Sequence, residues 1–160
     1  MRIAFALLAL AALGACGFRP LYAEGPEGQR GAIGAVTIDQ IAGRSGFVLK
    51  TELEQLLSVE TGDDPPKRLA IQLTENFARV GLRVDEASNR ADLILAANYI
   101  LYDDMGKVLA RGRADSVASY NVPASSFGEV AAENDARERA AELLAERIRA
   151  ELALRLAQRR

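Results

Sequence analysis

The chain has one thiol, Cys16, and no histidine. Those two facts bound its chemistry. Nucleophilic catalysis needs a base beside the nucleophile, most often an imidazole, and zinc sites are built chiefly from cysteine and histidine. Only carboxylates remain as acids or bases near neutrality. Two acidic pairs occur, Asp63 with Asp64 and Asp103 with Asp104. The first precedes Pro65 and Pro66, the second precedes Met105 and Gly106, and both contexts are those of solvated turns. No serine is followed three residues on by lysine, and no glycine pattern is suited to cradling phosphate. The residues therefore predict no enzyme and no cofactor. The 20 bases against 22 acids, a formal charge of −2, also argue against a nucleic-acid partner.

The surroundings of Cys16 point to modification instead. Met1 and Arg2 give a small positive start, and Ile3 to Leu13 then run without charge, proline or glycine. That is the layout of a secretory signal peptide. The run reaches only about half of the roughly twenty residues that a spanning helix requires. Leu13, Gly14 and Ala15 are small toward the end, and the cysteine follows at once. This order resembles the lipobox of bacterial lipoproteins, which implies cleavage before Cys16 and acylation of its thiol and its freed amine. Two chains hold a protein stably where one does not, so the product would be membrane-anchored. Gly17, where lipoproteins kept on the inner membrane of enterobacteria carry aspartate, implies the periplasmic side of the outer membrane. With the only thiol acylated, the fold has no disulfide to draw on and must hold by packing.

Three regions follow: a signal peptide over 1–15, a lipidated N-terminus and flexible tether over 16–34, and a single domain over 35–160. The tether is expected from "AEGPEGQRGAIG", Ala23 to Gly34, which is rich in glycine and has no apolar period. Val36, Ile38 and Ile41 suggest a short strand over Ala35 to Ile41. Leu49, Leu53, Leu56 and Leu57 then fall on one helical face, with Gly62 as the stop. A strand from about Arg68 alternates Leu69, Ile71 and Leu73 with polar neighbours. Phe77 keeps that phase, but Val80, Leu82 and Val84 do not, which predicts a bulge or a break around Arg79 to Gly81. "ADLILAANYILY" and "VLARGRADSVASYNV" form a hairpin about the turn "DDMGK". From Phe127 one long helix is expected, with Ser126 and Glu129 as a capping box. Ala136, Ala140, Leu144, Ile148 and Leu152 form its buried stripe, with Leu143 beside it. The order β-α-β-β-β-α predicts an α+β two-layer sandwich: a four-stranded mixed sheet with two helices on one face.

The segment "CGFRPLY", Cys16 to Tyr22, resembles the mature start of the LptE family of lipopolysaccharide-assembly lipoproteins as it occurs in alphaproteobacteria. The element order of the rest is compatible with that family's sandwich. The resemblance implies a non-catalytic plug and assembly partner of the LptD outer-membrane barrel, active in lipopolysaccharide transport and able to bind lipopolysaccharide itself. Arg19 before Pro20 is biased to extended backbone, so Phe18, Leu21 and Tyr22 become candidates for partner contact. Small residues on the sheet, Ala110, Gly112, Ala114 and Ser116, are expected to face outward against a barrel wall. Lipopolysaccharide carries phosphate, for which the candidates are Lys107, Arg111 and Arg113 at the hairpin, with Arg79 and Arg83 as a second group. The alternative is an auxiliary lipoprotein of another envelope lipid transport system. A periplasmic hydrolase lacks the groups it would need.

Overall fold

The computed structural model describes residues 33–57, 65–80 and 90–158. The elements run β1 (Val36–Ile38), α1 (Arg44–Leu57), β2 (Lys67–Val80), β3 (Arg90–Tyr102), β4 (Val108–Asn121) and α2 (Ser126–Ala157). They form the expected α+β sandwich, with the four strands in the order β1-β2-β3-β4. β1 pairs parallel with β2, Val36 beside Lys67 and Ile38 beside Leu69, while β2, β3 and β4 are antiparallel neighbours. A parallel return needs a crossover, and α1 supplies it.

Alternation along the strands decides the layers. Leu93, Leu95, Ala97, Tyr99 and Leu101 of β3 are at most 1% exposed and share one face. In register beside them lie Leu69 on β2 and Ala110, Ala114 and Ala118 on β4. Against this face α1 buries Leu49, Leu53 and Leu57, and α2 buries Ala136, Ala140, Leu144, Ile148 and Leu152. At about 1.5 Å per helical residue and 3.3 Å per strand residue, the 32 residues of α2 and the 14 of β4 both span close to 47 Å. One helix thus covers the full length of the hairpin.

β4 reverses one expectation. Ala110, Ala114 and Ser116 face the helices and are at most 6% exposed, and Gly112 lies beneath Tyr99. They are small because α2 lies close above them with small residues of its own, Ala136, Ala140, Ala141 and Ala145. Ser116 Oγ donates to the Ala140 carbonyl at 2.7 Å, so even the polar member of the row is used inside. The large core side chains come from β3 and the helices, with Leu69 of β2, Ile38 of β1 and Ile33 just ahead of β1.

Other boundaries also shift. β1 ends at Ile38, and Ile41 is buried from the connection that follows it. β2 stays in register with β3 through Arg79 beside Ala91 and Val80 beside Arg90, so no bulge falls at those two residues, and Gly81, the rest of the expected bulge or break, lies outside the described residues. Leu82, Val84 and the Gly62 stop lie outside the described residues. The one register irregularity between β3 and β4 is at Leu101 and Tyr102, next to the turn. There Gly106 takes φ 80°, a conformation that favours glycine. The N-cap of α2 is Ser125, not Ser126: Ser125 Oγ accepts from the Gly128 amide at 3.2 Å. Glu129, freed from the predicted box, pairs with Arg79 at 3.5 Å. Leu143 is 52% exposed and lies outside the buried stripe.

Candidate functional site

The helices cover one face of the sheet, which leaves the side chains of alternate parity on the other. By register this open face carries Arg68, Ala70, Gln72, Thr74 and Asn76 from β2. Ile94, Ala96, Asn98, Ile100 and Tyr102 come from β3, and Arg111, Arg113, Asp115 and Val117 from β4. Ile94, Ala96, Ile100 and Tyr102 are half-buried among their neighbours, and Gln72, Thr74, Asn76 and Asn98 are exposed. It is a long, gently apolar surface with small and uncharged polar groups at its middle.

Cations gather at one end of it. Arg111 and Arg113 are exposed on this face, as their two-residue spacing predicts. Arg111 is level with Ile100 and Ala70, and Arg113 with Asn98 and Gln72. Arg68, a residue the sequence reading passed over, joins them from β2. Its guanidinium lies 4.5 Å from the centre of the Tyr102 ring and 2.8 Å from Asp39 Oδ2. The signal was present in the alternation of Leu69 and Ile71, which puts Arg68 outward. Lys107 sits at the same end, exposed in the turn. Asp103 Oδ1 accepts from the backbone amides of Met105 and Lys107 at 3.0 and 2.7 Å, so this acid serves the turn, as expected.

Arg79 does not belong to that group. It lies on the helix-covered side, level with Ala91 and Tyr120 at the far end of the strands. There it enters a charged cluster with Glu129, Glu133 and Arg137. Burial, then the charges of Glu133 and Glu129, raise the Tyr120 hydroxyl above its usual pKa, with Arg137 and Arg79 opposing. Arg137 is the hub of the cluster. It donates from Nε to Glu75 Oε1 at 3.0 Å, reaches Asn134 at 3.1 Å and Glu133 at 3.4 Å, and lies 5.2 Å from the Phe77 ring centre. Glu75 also accepts from Ser45 of α1, so one carboxylate on β2 ties both helices to the sheet. Arg83, Cys16, Phe18, Leu21, Tyr22 and the Asp63–Asp64 pair lie outside the described residues.

Among the described residues, no group of three or more acidic, cysteine or histidine side chains is arranged to hold a metal. No described helix is long and apolar enough to cross a membrane. What the open face offers is shape, hydrogen bonding and positive charge.

No protein-family model matches the sequence, and no curated protein matches it significantly. Solved structures do share its fold. A protein of Caulobacter crescentus CB15, described as a lipoprotein, superposes with a TM-score of 0.69 at 25% identity, over 83% of this chain and 98% of that one. The minor lipoprotein of Acinetobacter baumannii superposes with a TM-score of 0.60 over 75% of this chain and 90% of that one. At 15% identity the second speaks to the fold alone.

Proposed function

We propose that this chain is an envelope lipoprotein, anchored through acyl chains on Cys16. It serves without catalysis as plug and assembly partner of the LptD barrel in lipopolysaccharide transport. The observation that carries the reading is the agreement between the lipobox-like "LGAC" with its "CGFRPLY" continuation and the fold shared, at 25% identity, with a lipoprotein of Caulobacter crescentus. The open sheet face supports the partner half of the proposal. A wall of barrel strands needs a long surface of modest side chains to lie against, and Thr74, Asn76, Ala96 and Asn98 provide one. Lipopolysaccharide phosphates would be met at the hairpin end by Arg111, Arg113 and Arg68, since guanidinium forks bind phosphate in pairs of hydrogen bonds.

Two measurements on one preparation test this. Intact mass of the protein isolated from membranes is expected to equal the chain from Cys16 plus its acyl groups. A leader still attached, or an unmodified thiol, removes the anchor. Detergent-solubilised outer membranes are expected to yield a stable complex with a partner of barrel-type, heat-modifiable migration. Full acylation without any such partner would favour the auxiliary role in another lipid transport system.

A further inference from the structure

The sheet order leaves β4 at a rim, and its 14 residues are the longer of the two rim strands against three for β1. A long rim strand presents unpaired amides and carbonyls, a template for pairing with another chain. In β4 these groups belong to alternate residues, and two of the carbonyls are occupied from α2. Arg147 donates from Nη1 to the Asp115 carbonyl at 2.5 Å, and Arg139 from Nη2 to the Ser119 carbonyl at 3.3 Å. The fit is periodic. Four helical residues rise about 6 Å and two strand residues about 6.6 Å, so Arg139, Leu143 and Arg147 lie level with Ser119, Val117 and Asp115. Arg147 also lies 3.7 Å from the Asp115 carboxylate.

We propose that the rim of β4 is a pairing surface for β4 of a second copy of this chain, held shut by Arg139 and Arg147. The strand is self-complementary in charge. Paired antiparallel about Ala114, Arg113 of each copy stands opposite Asp115 of the other on the open face, twice over. The outward-directed backbones of 113 and 115 then meet as a hydrogen-bonded pair. The same pairing buries apolar surface that is now wet. Val117 and Leu143 are 48% and 52% exposed, and they line with Asp115, Glu146 and Arg147 a shallow groove of about 590 Å³. Arg147 blocks the event doubly, because it holds both the carbonyl and the carboxylate that the second copy would use. The chain as it stands is therefore monomeric at this rim.

The test is the mass of the full chain in mild detergent by light scattering, over a range of concentration, and it does not depend on the transport role. The native sequence is expected to stay monomeric. Arg139→Met with Arg147→Met keeps the apolar stems and removes the guanidinium groups, and the mass is expected to double as concentration rises. Adding Arg113→Asp to that variant sets like charges opposite each other and returns it to a monomer. Adding Asp115→Arg as well restores the pair and the doubled mass. Arg147→Met alone, with the Arg139 cap intact, should associate more weakly, and it gives the same readings if the double variant does not fold. A folded, uncapped variant that remains monomeric overturns the proposal, as does association indifferent to Arg113→Asp.

Discussion

Tyr99 is the largest side chain in the fully buried core, at 1% exposure, and its hydroxyl is the one polar group it must place. The hydroxyl donates to Glu151 Oε2 at 2.5 Å, and Arg155 stands 3.7 Å from the same carboxylate. The ring passes under β4 at Gly112, where an added Cβ would fall on the hydroxyl, so the glycine is there for close approach and not for backbone freedom. Burial, then the bond to Glu151 and its charge, push the Tyr99 pKa from 10.0 up to about 12. The sign follows directly. Below pH 10 folded and unfolded chains both keep the phenolic proton; above it the unfolded chain loses the proton first, and stability falls until the folded value is passed. Over that window the native protein is expected to lose up to about 2 kcal/mol from this group. Tyr99→Phe should flatten that part of the profile, read as urea midpoints between pH 9 and 12. Little of this was legible in the sequence, because the partners are 52 residues apart and nothing local links them. By contrast the exposure of Arg111 and Arg113 on a common side followed from a period of two, which needs no knowledge of distant contacts.

Among the elements, α2 displays both what periodicity carries and what it omits. Its buried stripe from Ala136 to Leu152 and its pairs Glu133–Arg137, Asp135–Arg139 and Glu151–Arg155 are as the spacing predicts. Helical neighbours three and four apart meet whatever the tertiary fold does. Yet Arg137 also reaches 62 residues back to Glu75, and Arg139 reaches the rim of β4, so two residues of these local pairs also act as ties between elements. The small residues of β4 face the helices against expectation for a related reason. Alanine, glycine and serine suit a wet face and a helix lying close equally well, and only the proximity of α2 decides between them. The cap offers a sharp check. Ser125→Ala should cost about 1 kcal/mol of stability, while Ser126→Ala should change it by no more than a few tenths, measured by chemical denaturation of each variant. The reverse order would return the start of the helix to the predicted box.

Among the described residues the sheet is asymmetric, with one face packed under both helices and the other carrying none. Two or three strands with a wet side are ordinary, but antiparallel strands of 13 and 14 residues whose second face is covered by no described helix make a large surface. If that face meets the barrel, bulky charge at its centre should abolish the complex without harming the fold. Thr74→Arg with Asn76→Arg is the expected case: melting temperature within a few degrees of native, and no barrel recovered with the protein from detergent extracts. Recovery of an undiminished complex would move the contact elsewhere.

β1 enters the sheet beside Lys67 and Arg68, at the same end as the hairpin turn and its cations. From Cys16 to Ile33 the chain takes 17 steps, which at 3.3–3.6 Å each can reach at most roughly 60 Å. That exceeds the length of the strands themselves. Acylation would therefore choose the membrane without choosing which way up the body stands against it. If the body docks on a partner as proposed, that contact would set its orientation, and with it whether the arginines point to the bilayer or to the cell interior.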